Sequence, residues 1–306
     1  MEAHHTPVMV REVLSALQVK TGGVYVDCTV GEGGHSLAVL GEAPGVRTVG
    51  IDKDTDAIAT AQRRLGGHPG RVVLVQGNYT HLDNIVREHG VRPVDGVLFD
   101  LGISSFQLET GDRGFSIRRE ARLDMRFDTL QEVTAHQVVN GYPERALADI
   151  IYQFGEEPGA RRVAREIVRS RPMETTTELA AAVQRAIGLR PGSRTHVATR
   201  TFQAIRMAVN EELDNLSRGL DQGIDVLGPG GRLVVISYHS LEDRRVKSTL
   251  RREASDCICP PGAPQCICGH KASIRLVQRK VTRPTAEEVE ANPRSRSARL
   301  RAAERI

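Results

Sequence analysis

The sequence predicts an α/β protein: a parallel, doubly wound, Rossmann-like sheet interrupted by a mostly helical insertion. Three observations carry this. Short strand-like and helical segments alternate from about residue 22 to 102. Helical periodicity replaces that alternation from about 111 to 210. A strongly β-forming run, Arg232-Leu233-Val234-Val235-Ile236-Ser237, then resumes it.

The first four strands are expected at Val24-Tyr25-Val26-Asp27-Cys28, Thr48-Val49-Gly50-Ile51-Asp52, Val72-Val73-Leu74-Val75 and Gly96-Val97-Leu98-Phe99-Asp100. Near-continuous apolar runs of this length suit strands buried on both faces of a parallel sheet. Helices are expected between them at about 35–42, 54–66 and 80–89. Asp54 or Thr55 can cap the second, whose apolar stripe is Ala57, Ile58, Ala61 and Leu65. Repeated at this length, the units are right-handed βαβ crossovers. The insertion carries helical runs such as Ala146–Tyr152 and Glu178–Ile187, the latter ended by Gly188. A helix from about 211 to Leu227 is stopped by Gly228-Pro229-Gly230-Gly231. Two tail strands, Ile274–Val277 and Ala298–Arg301, are expected to close the sheet as an antiparallel pair. The expected division is 1–110 with 211–306 for the sheet domain and 111–210 for the insertion.

A chain of 306 residues can build a large core. It has no Trp and only 4% aromatics, so the core is aliphatic and any base-stacking platform is small. A net charge of +4 permits a polyanionic partner. Arg161, Arg162, Arg165, Arg169 and Arg171 form one basic cluster, and Arg294, Arg296, Arg299 and Arg301 a second. Each reads either as an anion-binding face or as a solvated helix face and charged tail. No cationic segment followed by an apolar stretch opens the sequence, and no apolar run is long enough to span a bilayer. A cytoplasmic protein without a membrane partner is expected. Four of the five cysteines crowd between 257 and 268, which argues against a disulfide framework.

The first strand runs into Asp27-Cys28-Thr29-Val30-Gly31-Glu32-Gly33-Gly34-His35-Ser36. Glycines in a strand-to-helix turn let backbone approach a ligand. Asp52 ends the next strand, where a carboxylate accepts hydrogen bonds from ribose hydroxyls. A dinucleotide site would place glycine where Ser36 stands. It would also have no use for Asp27, which suits a cationic ligand end such as the ammonium of S-adenosylmethionine. A nicotinamide cofactor is the weaker reading, and a turn without ligand the bland one. Gly77-Asn78-Tyr79 follows the third strand, and Tyr79 can stack on adenine or pack.

Asp100 ends the fourth strand, at the carboxyl edge where open α/β sheets bind ligands. An exocyclic base amine is a poor nucleophile because its lone pair is conjugated with the ring. A carboxylate accepting its N–H localises that pair and takes up developing positive charge. Asp100 is therefore the candidate catalytic residue, with capping of the next turn or contact with the cofactor alone as the alternative. Gln107 can contact substrate or cofactor. Tyr238 and His239, after the fifth strand, line the same crevice, and His239 is a possible base or a structural histidine.

Together these segments resemble the MraW (RsmH) family of small-subunit rRNA methyltransferases. The resemblance includes His5-Thr6-Pro7-Val8-Met9, Gly31–Ser36, Asp100–Ser105, Arg113-Gly114-Phe115-Ser116 and Leu123-Asp124-Met125-Arg126. It continues with Ala198–Ala204, Ser237–Arg244 and Asn292–Ser297. One departure is Phe106, where proline is common in the family. The resemblance implies a class I methyltransferase sheet and S-adenosylmethionine as cofactor. It implies N4-methylation of one cytidine in the decoding region of 16S rRNA, with the rRNA or the 30S subunit as partner. It places cofactor contacts at Gly33, Gly34, His35, Asp52, Tyr79, Asp100 and Gln107. No metal ligand and no obligate protein partner are assigned. A non-catalytic ribosome assembly factor on the same scaffold is the rival from another class, and an oxidoreductase is the weaker one.

A base within folded RNA must be splayed out for chemistry. Phe115 or Tyr238 is the candidate stacking residue. Arg113, Arg118, Arg119 and Arg126 are candidate phosphate contacts. Cys257-Ile258-Cys259 and Cys266-Ile267-Cys268 flank a proline-rich turn. Two C-x-C pairs can surround a zinc ion, although the spacing is not the usual C-x₂-C; a redox pair and plain loop chemistry are the alternatives.

Overall fold

The computed structural model describes residues 6–103, 113–189, 195–263 and 265–306. The chain forms two compact units, residues 1–102 with 213–306 and residues 103–212.

In the first unit, helix α1 (Val10–Leu17) precedes strand β1 (Val24–Asp27), helix α2 (Gly34–Glu42) and strand β2 (Arg47–Asp52). Helix α3 (Thr55–Leu65), strand β3 (Val72–Gln76), a 3₁₀ turn (Tyr79–His81), helix α4 (Leu82–Glu88) and strand β4 (Val94–Asp100) follow. The strands β1 to β4 and helices α2 to α4 meet the expected elements to within a residue or two, whereas α1 was not expected. Asp54 caps α3 by accepting the Asp56 N–H at 3.1 Å. The apolar residues of β4 divide between the faces: Val97 and Phe99 enter one core with Val49, Ile51 and Val235, while Leu98 enters the other with Tyr25, Val234 and Ile236. A sheet covered on both sides explains why its strands lack polar alternation.

After the second unit the chain returns through helix α10 (Glu212–Asp225) to strand β5 (Leu227–Ser237). The expected stop at Gly228–Gly231 lies inside that strand. Leu227 pairs with Val94, pairing resumes at Arg232 with Gly96, and the glycines bridge the register shift. Bulging costs little where side chains are missing. Helix α10 also packs unusually close to the sheet. A Cβ on Gly219 would stand 2.5 Å from the Tyr79 ring and 3.2 Å from Phe99.

Helix α11 (Ser240–Glu253), strand β6 (Ile274–Leu276), helix α12 (Ala286–Ala291) and strand β7 (Arg299–Arg305) complete the unit. The sheet order is β3-β2-β1-β4-β5-β7-β6. Its first five strands are parallel, and β7 runs antiparallel to both β5 and β6, as expected of the tail. Winding reverses between β1 and β4. That switch point opens a crevice at their carboxyl ends.

The second unit contains α5 (Ala135–Gly141), α6 (Glu144–Gly155), α7 (Ala160–Arg169), α8 (Thr176–Ile187) and α9 (Thr199–Asn210). Among its described residues the one strand-like pairing is an isolated bridge between Arg122 and Thr175. Thr134 and Thr175 start α5 and α8 with reciprocal capping boxes to Gln137 and Glu178. Leu147, Ile151, Val163, Ile167, Leu179 and Val183 fill the core.

Candidate active site

The glycine loop and Asp100 occupy the switch point together. Gly33 has φ +78° and is the N-cap of α2, where any other residue would strain the backbone and press on Leu65. No side chain caps α2, so its leading N–H groups are available to a ligand. Pro7 lies over Gly34 where a Cβ would stand, which ties the Thr6–Met9 segment to the loop.

Three carboxylates surround this loop, and burial raises the pKa of each. Asp27 is 5% exposed and accepts from the Ser36 hydroxyl at 2.9 Å and the Thr29 N–H at 3.3 Å. Burial raises it while the nearby His35 opposes. Ser36, which separated this loop from a dinucleotide fingerprint, thus holds the acid in place. Asp52 accepts from Gly31 N–H and Asp54 N–H, both at 3.0 Å. Burial lifts it to about 6 against those two bonds. Each of its oxygens retains a lone pair for a further donor.

Asp100 is held on three sides. Its N–H donates to Thr29 Oγ1 at 2.7 Å. Its Oδ1 accepts from the Tyr238 hydroxyl at 2.7 Å, and its Oδ2 lies 3.6 Å from His35 Nδ1. Burial raises the Asp100 pKa, while His35 and the Tyr238 hydrogen bond oppose. Burial also raises Tyr238 well above an ordinary phenol, so it remains a donor. His35 is 6% exposed, and its Nε2 contacts the Val8 carbonyl at 2.9 Å. A carbonyl only accepts, so Nε2 carries hydrogen and Nδ1 is the nitrogen presented to Asp100. His35 thus bridges the N-terminal segment and Asp100.

Over residues 2–306 the sequence matches the MraW methylase family. The chain belongs to that family. It is an S-adenosylmethionine-dependent methyltransferase. A protein of Dehalococcoides mccartyi named ribosomal RNA small subunit methyltransferase H is 53% identical over 100% of this chain and 88% of its own length. The protein of that name from Thermomicrobium roseum is 50% identical over 99% of this chain and 94% of its own. That from Carboxydothermus hydrogenoformans is 46% identical over 100% and 99%.

The donor set of this methylase suits its cofactor. S-adenosylmethionine supplies an activated methyl on a sulfonium, together with an ammonium, a carboxylate and ribose hydroxyls. The uncapped α2 N-terminus fits an anionic end, and the Asp52 oxygens fit two hydroxyl donors. Gly33, Gly34, His35, Asp52 and Asp100 converge at the crevice. Tyr79 opens the 3₁₀ turn that follows β3, with its ring edge-on to Phe99, centroids 5.3 Å apart. Gln107 lies outside the described residues.

Several substrate-facing expectations are corrected. Phe115 is 6% exposed and stacks on Phe127 in the helical core, so it offers no face to a base. Arg113 donates to the Arg126 and Phe127 carbonyls at 2.6 and 2.7 Å. Arg126 pairs with Asp124 and binds the Thr129 and Gln131 carbonyls. Both arginines brace their own loop, while Arg118 and Arg119 are exposed. In the first basic cluster Arg171 binds the Val139 carbonyl; Arg161, Arg162, Arg165 and Arg169 line the exposed face of α7, where Arg165 pairs with Glu144 and Arg169 with Glu166. In the second, Arg299 and Arg301 pair with Asp243. His239 caps α11: its Nδ1 accepts the Glu242 N–H at 3.3 Å, and Glu242 accepts the N–H groups of Tyr238 and His239. The structural reading of His239 prevails. The Tyr238–Asp100 bond was not foreseen, and only the pairing of β4 with β5 brings those residues together.

Proposed function

We propose that the chain transfers a methyl group from S-adenosylmethionine to the exocyclic N4 of a cytidine in small-subunit rRNA. The observation that carries this reading is the Asp100 carboxylate, fixed by Tyr238 and facing His35 at the switch point beside the glycine loop. The names of the relatives supply the substrate class. We assign cofactor contact to Gly33, Gly34, His35, Asp52, Tyr79, Asp100 and Gln107.

Asp52 accepts the ribose hydroxyls. Asp27, held by Ser36, adds negative potential beneath the loop that favours an ammonium. Asp100 accepts an N–H of the incoming amine, which turns the nitrogen lone pair toward the methyl group. Its raised proton affinity suits it to take the proton that the amine loses. Tyr238 keeps the carboxylate oriented, and alignment is much of what an in-line displacement requires. Residues 103–212 select the RNA, with the exposed arginines of α7 as phosphate contacts.

Methyl transfer from labelled S-adenosylmethionine to 30S subunits and to naked 16S rRNA, followed by nucleoside analysis, tests this. Label in N4-methylcytidine that Asp100→Ala abolishes is expected. Cofactor binding without transfer to either RNA would favour the assembly-factor reading.

A further inference from the structure

The cysteine-rich segment between α11 and β6 plays no part in the chemistry above. Its four thiols nevertheless converge. Cys257 Sγ lies 3.4 Å from Cys266 Sγ and 3.9 Å from Cys268 Sγ. Cys266 Sγ lies 4.0 Å from Cys259 Sγ and 3.5 Å from Cys268 Sγ. All four sulfurs fall within 4.8 Å of one another. A tetrahedron of thiolates at about 2.3 Å from a zinc ion has sulfur–sulfur edges of about 3.8 Å. The separations here bracket that edge. None of the four cysteines is in a disulfide.

The C-x-C spacing has a direct explanation. Neighbouring residues on extended backbone point to opposite sides. Cys257 and Cys259 point toward Cys266 and Cys268, while Ile258 (47% exposed) and Ile267 (89% exposed) turn away from the cluster; Cys257 and Cys266 are themselves exposed. A loop that leaves both isoleucines and two of its four cysteines exposed is not held by hydrophobic burial. The Ile258 N–H donates to Cys268 Sγ at 3.4 Å, an orientation that stabilises a thiolate. At the base, Ser273 N–H donates to the Glu253 carbonyl at 2.8 Å and His270 Nε2 to that of Arg252 at 2.9 Å. The base is anchored to α11, and the tip carries a turn bond from the Ala263 N–H to the Pro260 carbonyl at 3.2 Å beside its sulfurs.

We propose that Cys257, Cys259, Cys266 and Cys268 bind one structural zinc ion. Four protein thiolates leave no open coordination position, so the metal folds the loop and takes no part in methyl transfer. Four soft sulfur donors select zinc over magnesium or calcium.

The test uses the full chain, purified without chelator or histidine tag from zinc-supplemented culture. Elemental analysis is expected to give about one zinc per chain. Titration of the folded protein with a mercurial should release it as four thiols react, a readout independent of whether any variant folds. C257S/C266S should lose the metal. Cobalt added to the chelator-treated wild type should give intense thiolate charge-transfer and tetrahedral ligand-field bands that this variant lacks. Metal-free protein with four freely reactive thiols, zinc retained by C257S/C266S, or a disulfide among these cysteines would overturn the proposal.

Discussion

Cofactor affinity should fall as pH drops through the titration of Asp52. Burial lifts this carboxyl to about 6, although the N–H groups of Gly31 and Asp54 favour its charged form. A raised folded-state pKa in an acid means that the empty protein takes up a proton more readily than the unfolded chain. Asp52 therefore supports the empty fold fully below about pH 4, and that contribution is lost as pH rises through about 6. Under the contact proposed above, ribose hydroxyls would donate to the ionised carboxylate and reverse the preference. A group with its pKa at about 6 is almost wholly ionised at pH 8 and about one-eleventh ionised at pH 5, so affinity should drop about tenfold. Calorimetric titration with S-adenosylhomocysteine at pH 5, 6, 7 and 8 measures this, and buffers of different ionisation heat report the proton released. Asp52→Asn should bind more weakly at pH 8 and lose most of the slope. A flat wild-type profile, or an Asn variant that keeps the full slope, would refute the argument.

Three further outcomes are expected. Tyr238→Phe removes the 2.7 Å bond to Asp100 and should lower kcat by about tenfold, the value of roughly one hydrogen bond to a charged group, with little change in cofactor affinity in binding assays. Gly33→Ala forces a side chain onto a φ of +78° against Leu65; calorimetric melting should show a loss of about 1–3 kcal/mol, and cofactor binding should weaken sharply. Replacing Arg161, Arg162, Arg165 and Arg169 with Ala should weaken rRNA binding in filter assays and flatten its log–log salt dependence by about 2–3, leaving cofactor affinity intact; an unchanged slope would remove α7 from the RNA interface.

Much of the sheet domain was legible because its elements are written locally. Unbroken apolar strands, Asp54 as a cap and glycines at turns each act within a few residues. Helix α11 was missed because its sequence is highly charged and buries little besides Glu242, Val246, Thr249 and Leu250. The Gly228–Gly231 stop was misplaced because a bulge and a turn use the same residues. The arginines show the sharper limit. Arg113 and Arg126 look like Arg118 in sequence, yet the first two bind carbonyls on their own loop. Composition reveals the charge but not what neutralises it.

Taken alone, the sequence determined the fold class through its alternating strands and helices, and the family and cofactor through the ordered motifs that it shares with that family; the glycine loop, Asp52 and Asp100 stand at strand ends that any doubly wound sheet brings to one edge. Only the tertiary structure decided which side chains act on Asp100. The Tyr238 hydroxyl reaches it through strand pairing across 138 positions, and His35 is turned toward it by the Val8 carbonyl. The four sulfurs likewise became a site only when distance and direction were known. Spacing lists possible ligands, whereas folding selects the few whose atoms converge.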